Sequence, residues 1–317
     1  MFLIGINPFQ PYLERRKSTV ALTKVDMKKE IEIWLVTTDH LKDGVWFREE
    51  EDFRVGMNYV AVIAAGSPVF VLAFVLMSNH VHFLFLGMRE EAEAFIDELK
   101  RRYSNYVRVK YGTAKFLKKN GVDIQLIPFD GESAERALAY VQMNCVAANI
   151  CLHPTQYPWG TGNLFFNATP PSGVRVDTLS DRERMRLTRS KTPLPGHWLV
   201  GKEGYILPAS YVRIDYVERL FRHPKRMDFF LRNSSKARLR LQSGEESQPS
   251  FKDQTLLSVL PELCFKLFGV MSFGELGDSQ KTEVLRQLRF RFSSNTHQLA
   301  RVVGISYEEA ARLMDSK

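Results

Sequence analysis

The sequence predicts an α+β fold: a ferredoxin-like, RRM-like antiparallel sheet with helices on one face, followed by a C-terminal all-helical domain. Three observations carry this. Residues 31–150 alternate strand-like and helix-like segments in the order strand, helix, two strands, helix, strand, helix, an order compatible with a split βαβ sheet. A polar stretch, QSGEESQPS at 242–250, separates that part from a tail that reads as helical throughout. The length of 317 residues suits more than one domain. The expected division is 1–165 for the α+β unit, 166–249 for a mixed helical and loop connector, and 250–317 for the helical domain with a helix-turn-helix.

Each element follows from local chemistry. IEIWLVTTD (31–39) is β-branched and aromatic with no breaker, and reads as a strand. In 49–66 the residues Phe53, Met57, Tyr59, Val60, Ile63 and Ala64 form an apolar stripe at helical spacing, closed by Gly66. PVFVLAFVLM and HVHFLFLG read as a strand pair joined near Ser78-Asn79. Residues 89–112 form a second long helix ending at Gly112, and DIQLIPFD (123–130) a fourth strand. Residues 133–150 form a third helix, with Ser133 as N-cap and Glu135 in the first turn. Further on, SYVRIDYVERLFRHPKRMDFFLRN also looks helical.

A hydrophobic share of 44% supports a real core, and a formal charge of +8 favours polyanionic partners without naming one. The three cysteines, Cys145, Cys151 and Cys264, fit neither a zinc site nor a disulfide framework, so a reduced, cytoplasmic setting is expected. The longest apolar runs are about half the ~20 residues of a membrane span, and the N-terminal basic residues follow the apolar start, the reverse of a signal peptide. No membrane role is expected.

The chemistry concentrates in LMSNHVHFLF (76–85). On a strand His80 and His82 project from one face while Val81 points away. Two imidazoles there make half of a metal site, or else two core histidines bonded to backbone or carboxylates. Leu84 stands where a histidine-triad hydrolase needs a third histidine. Phe85 and Leu86 stand where a cupin needs a glutamate. What remains is an open site that takes a third ligand from elsewhere. On the third helix Tyr140 and Asn144 are four apart and share a face. An amide oxygen suits a hard cation, and a phenol can attack phosphorus beside one. Read alone, the pair is equally a core tyrosine and a polar asparagine on an amphipathic helix.

Taken in order, MSNHVHFLF, AYVQMNCVAA (139–148) and YPWGTG (157–162) resemble the single-tyrosine HUH transposases, within them the REP-associated tyrosine transposases and their insertion-sequence relatives. The resemblance covers roughly residues 25–165. Ser78 and Cys145 stand where that family usually carries proline. It implies Mg²⁺ or Mn²⁺ held by His80, His82 and Asn144, and Tyr140 as nucleophile on single-stranded DNA, with a hairpin or palindromic repeat as a possible substrate. The product would be a 5′-phosphotyrosine link and a free 3′-OH, which a second strand's 3′-OH reverses. Relatives act as monomers or homodimers. A repurposed, non-catalytic nucleic-acid binder is the alternative.

Two further segments bear on DNA. From Leu99 to Val122 there is no acidic residue. Cations including Arg101, Arg102, Lys110 and Lys115 alternate with Tyr103, Tyr106, Tyr111 and Phe116, a mixture that suits phosphates and stacked bases. Arg101, Arg102 and Lys110 are the expected phosphate contacts. NTHQLARVVGISYEEAARLM (295–314) reads helix, turn at Gly304, helix, with Ser306 and Glu309 as a capping box. It resembles the helix-turn-helix of DnaA-type DNA-binding proteins.

Overall fold

The computed structural model describes residues 31–41, 44–113, 117–129, 132–234, 253–292, 294 and 296–315. The expected N-terminal segment, Lys115, Phe116 and the 242–250 linker lie outside these residues. The first unit is built from β1 (Glu32–Thr38), α1 (Glu50–Gly66), β2 (Phe70–Met77), β3 (His80–Gly87), α2 (Arg89–Tyr111) and β4 (Val122–Ile127). The sheet order is β2-β3-β1-β4, antiparallel at every pairing. The class is α+β.

Every residue of β2 and β3 is buried. A strand buried on both faces needs cover on both, and alternate side chains of β3 show where the cover comes from. Phe83 and Phe85 pack on Phe95 of α2, with ring centroids 5.6 and 4.9 Å apart. His82, one position away, meets Tyr140 of α3 (Ser133–Gln142) at 5.5 Å. So α2 lies on one face and α3 on the other, and the expectation of helices on one face is corrected.

The third predicted helix is also divided. It stops at Gln142, and a short α4 (Asn144–Ala147) follows a break at Met143, whose φ and ψ are −81° and 0°. A side-chain bond of Asn144 accompanies the break. Its Nδ2 donates to the carbonyls of Tyr140 (2.8 Å) and Val141 (3.3 Å), a local bond that competes with the backbone ladder. The N-cap is Glu132, and Ser133 is the first helical residue.

The free edge of β2 is closed by later chain. Leu76 N–H donates to Trp159 O (2.8 Å), and Thr161 and Arg213 N–H donate to Phe74 O and Val71 O (3.0 Å each). The Tyr-Pro-Trp segment is therefore structural as well as a motif: Tyr157 OH donates to Leu76 O at 2.7 Å, and the Trp159 ring stacks on Phe53 at 5.0 Å. Buried side chains from Val176 to Leu231 join the same apolar cluster as the sheet. Leu187 of α5 (Asp181–Thr188) and Val200 of β6 (Leu199–Val200), the partner strand of β5 (Val174–Arg175), pack on it half-buried, and the fully buried side chains come from α6 (Ile214–Phe221), α7 (Pro224–Arg232) and the loops. The helix expected over 210–233 is thus two helices, broken where Arg222 takes a positive φ of 66° ahead of Pro224.

A second cluster forms among α8 (Asp253–Phe268), α9 (Asp278–Phe292), α10 (Thr296–Val303) and α11 (Tyr307–Asp315), with Val45 joining from the first unit. Among the described residues, Asp253–Glu275 is long and apolar enough to cross a membrane by length and composition. Here its Leu256, Leu260, Leu263 and Cys264 are core residues of that cluster.

Candidate metal and nucleophile site

The site grows from the pleat of β3. His80 and His82 are 5% and 1% exposed, with ring centroids 4.7 Å apart and planes crossing at 87°. Each ring is anchored by its Nδ1. That of His80 lies 2.8 Å from Asn79 Oδ1, and that of His82 lies 2.9 Å from Thr37 Oγ1. An amide oxygen only accepts, so neutral His80 carries its proton on Nδ1 and its lone pair on Nε2. Anchoring of one ring nitrogen by a neighbour is the usual companion of metal ligation by the other. Ring planes at this steep angle let two in-plane lone pairs converge on one ion.

His40, which sequence reading did not single out, lies face to face on His80, with centroids 3.7 Å apart and planes 15° apart. Its lone pairs lie in a plane nearly parallel to that of His80 and stacked on it. His40 is exposed and caps the His80 ring by stacking. Its only sequence signal is its place two residues beyond the end of β1.

Tyr140 arrives from α3 and meets His82 edge to face, at 5.5 Å and 89°. Asn144 stands one turn later and is buried. Because its Nδ2 serves the Tyr140 and Val141 carbonyls, its Oδ1 is the group suited to a hard cation. Among the described residues no group of three His, Cys, Asp or Glu is placed to hold a metal. Two imidazoles and one amide oxygen are an open set that waters or phosphate oxygens must complete, and the donor chemistry fits Mg²⁺ or Mn²⁺ on those terms.

The strands set a cross-sheet row, Val75–His82–Thr37–Asp123, on the face beneath α3. Burial, and then the charge of Asp123, push the Tyr140 phenol above its ordinary range. The phenol is therefore protonated at neutral pH, and attack by its oxygen would require a cation or base to draw off the proton.

The predicted DNA cations are placed differently. Lys110 lies among Glu49 (2.6 Å), Glu51 and Asp52 (2.9 Å each) and donates to Tyr106 OH at 2.8 Å. Burial opposes its charge, but the bonds to Tyr106, Glu51 and Asp52 outweigh it and raise the ammonium pKa. Lys110 thus ties α1 to α2. Arg101 and Arg102 both pair with Glu98, at 2.6 Å each, and Arg102 also reaches Ser190. Tyr103 and Tyr106 are core residues, and Tyr111 OH donates to Asp52 at 2.9 Å. In the C-terminal cluster, Gly304 takes a positive φ of 74° at the turn, and Ser306 Oγ accepts from Glu309 N–H at 3.1 Å. Arg312 of α11 pairs with Asp278.

No protein-family model and no curated protein matches this chain. A solved structure described as the REP associates tyrosine transposase bound to a REP hairpin is similar at 13% identity, over 42% of this chain and 77% of that one. The TM-score is 0.34, a remote likeness.

Proposed function

We propose that the chain is a divalent-metal-dependent endonuclease and strand transferase for single-stranded DNA, carried on a ferredoxin-like sheet, with Tyr140 as nucleophile. The observation that supports it is the convergence of His80, His82 and Tyr140 from two elements onto one sheet face, each imidazole anchored through Nδ1. His80, His82 and Asn144 would hold the ion. When bound, it supplies a Lewis acid that polarises a phosphoryl oxygen and offsets its charge.

The rest falls to the chain. The Tyr140 oxygen attacks phosphorus, its phenolic proton leaving to solvent. The bond to the 3′-oxygen breaks, and that oxygen takes up a proton as it leaves. The 5′-phosphate stays on Tyr140. A 3′-OH from a second strand then attacks the same phosphorus and releases the phenol. One phosphodiester is exchanged for another, so no external energy source is required. The sheet contributes rigidity, because His82 and Tyr140 are set by packed elements rather than loops. Arg101, whose side chain is 68% exposed, is the cation we retain as a phosphate contact. An exposed pair such as Arg101–Glu98 is weak enough for a phosphate to compete.

The test is an adduct assay. The protein is incubated with Mn²⁺ and labelled single-stranded oligonucleotides, hairpin pools included, then denatured and resolved. A labelled protein band that falls to background in both Tyr140→Phe and His82→Ala is the expected result. Adduct persisting in Tyr140→Phe would sink the assignment. DNA retention with no adduct in any pool would favour a non-catalytic binder.

A further inference from the structure

A cavity of about 540 Å³ lies where α8 and the end of α9 meet the start of α1 and the end of α2. It shares no residue with the histidine–tyrosine site. Three cations line it: Arg48, Lys266 and Arg291. Arg291 is the informative one. It is 8% exposed, its Nη1 donates to the Arg48 carbonyl at 3.2 Å, and its Nε has no acceptor. Among the described residues no carboxylate pairs with it. A buried guanidinium in that condition is costly unless something else meets its donors.

The neighbours are mixed in charge: Glu49 and Glu262 line the same space, and while burial opposes the Arg291 charge most, Glu50, Asp52 and Glu262 offset it from a distance. The Arg48 guanidinium lies over the Tyr111 ring at 4.2 Å, with no carboxylate paired to it among the described residues. Lys266 stands at the rim, 57% exposed, paired with Glu49, which Lys110 also engages. Burial and the charge of Arg291 depress the Lys266 ammonium, so the two cations work against each other. Glu262 also lines the space, an acceptor for a ligand hydroxyl or amine.

We propose that this cavity binds a phosphate-bearing ligand, with Arg291 and Arg48 donating to the phosphate and Lys266 closing the rim. Guanidinium forks match phosphate oxygens in geometry and charge. The volume lies within the range of small-molecule sites and admits a mononucleotide. The site is independent of the Tyr140 reading.

The experiment uses the full chain and reads thermal shift and calorimetric binding with thymidine 5′-monophosphate, inorganic phosphate and thymidine, at one ionic strength set by chloride. The two phosphate compounds stabilise the protein and thymidine does not. Inorganic phosphate binding as well as the nucleotide names the free anion as ligand; a preference for the nucleotide names the phosphomonoester. Arg291→Met weakens binding about tenfold or more without lowering the melting temperature of the free protein. Lys266→Ala, at an exposed position, weakens binding several-fold with the fold intact, so the test survives if Arg291→Met fails to fold. Tyr140→Phe and His82→Ala bind as the native chain does. No phosphate-specific stabilisation, retention of it in both Arg291→Met and Lys266→Ala, or its loss in His82→Ala would overturn the proposal.

Discussion

At the scale of the residue, the site depends on bonds that hold ring nitrogens in place. Thr37 Oγ1 sits 2.9 Å from His82 Nδ1, and the β1–β3 register puts the two residues opposite each other. Thr37→Val keeps the shape and removes that bond. Its expected effect is about a tenfold loss of Mn²⁺ affinity, the low end of the range for an outer-shell partner, with unchanged circular dichroism. Calorimetric titration with Mn²⁺ reads it, and equal affinity would show that Thr37 does not orient the ring. The histidine pair was legible because strand periodicity alone puts i and i+2 on one face. Thr37, Asn79 and His40 were not, because they meet the pair through register, turn and stacking.

At the scale of the element, the segment 157–162 behaves as an added edge to the sheet. Gly160 lies against β2 so closely that a Cβ there would meet Phe74 O at 2.6 Å and Val75 Cα at 3.1 Å. Val75 is the β2 partner of His82. Gly160→Ala must push backbone from backbone, and a cost of about 1–3 kcal/mol is expected, as for other overpacked sites. A lowered urea midpoint checks this; an unchanged midpoint would mean that the segment is not docked on β2. The strands and the long helices were legible from periodicity, with α1, α2 and all four strands falling within a few residues of their expected bounds. The split at Met143 was not, because the carbonyl capture by Asn144 that accompanies it is a side-chain choice that apolar spacing does not encode.

At the scale of the whole molecule, buried phenols link the fold to pH. Tyr103, Tyr157 and Tyr211 are each held well above the ordinary tyrosine range near 10, chiefly by burial. The folded pKa exceeds the unfolded one, so the contribution to stability is intact below about pH 10 and is lost as pH rises beyond it, by about 1.4 kcal/mol per pH unit per group. Urea midpoints at about pH 8 and about pH 11 test this. A steep fall is expected, and equal midpoints would contradict the burial of these rings. Lys110 teaches the matching lesson for charge. A run without acids from Leu99 to Val122 looks like a bare basic face, but Glu49, Glu51 and Asp52 come from another helix.

Periodicity and composition carry the α+β class, the strand pair with its two same-face histidines, the tyrosine and asparagine one turn apart, and the helical C-terminal part. Whatever depends on contact between distant segments waited on the folded chain. It covered both faces of the sheet, because β2 and β3 are apolar on both. It brought Tyr140 to His82, stacked His40 on His80 and neutralised Lys110 with carboxylates from α1. It also left Arg291 buried beside a cavity, a charge whose partner no local pattern names.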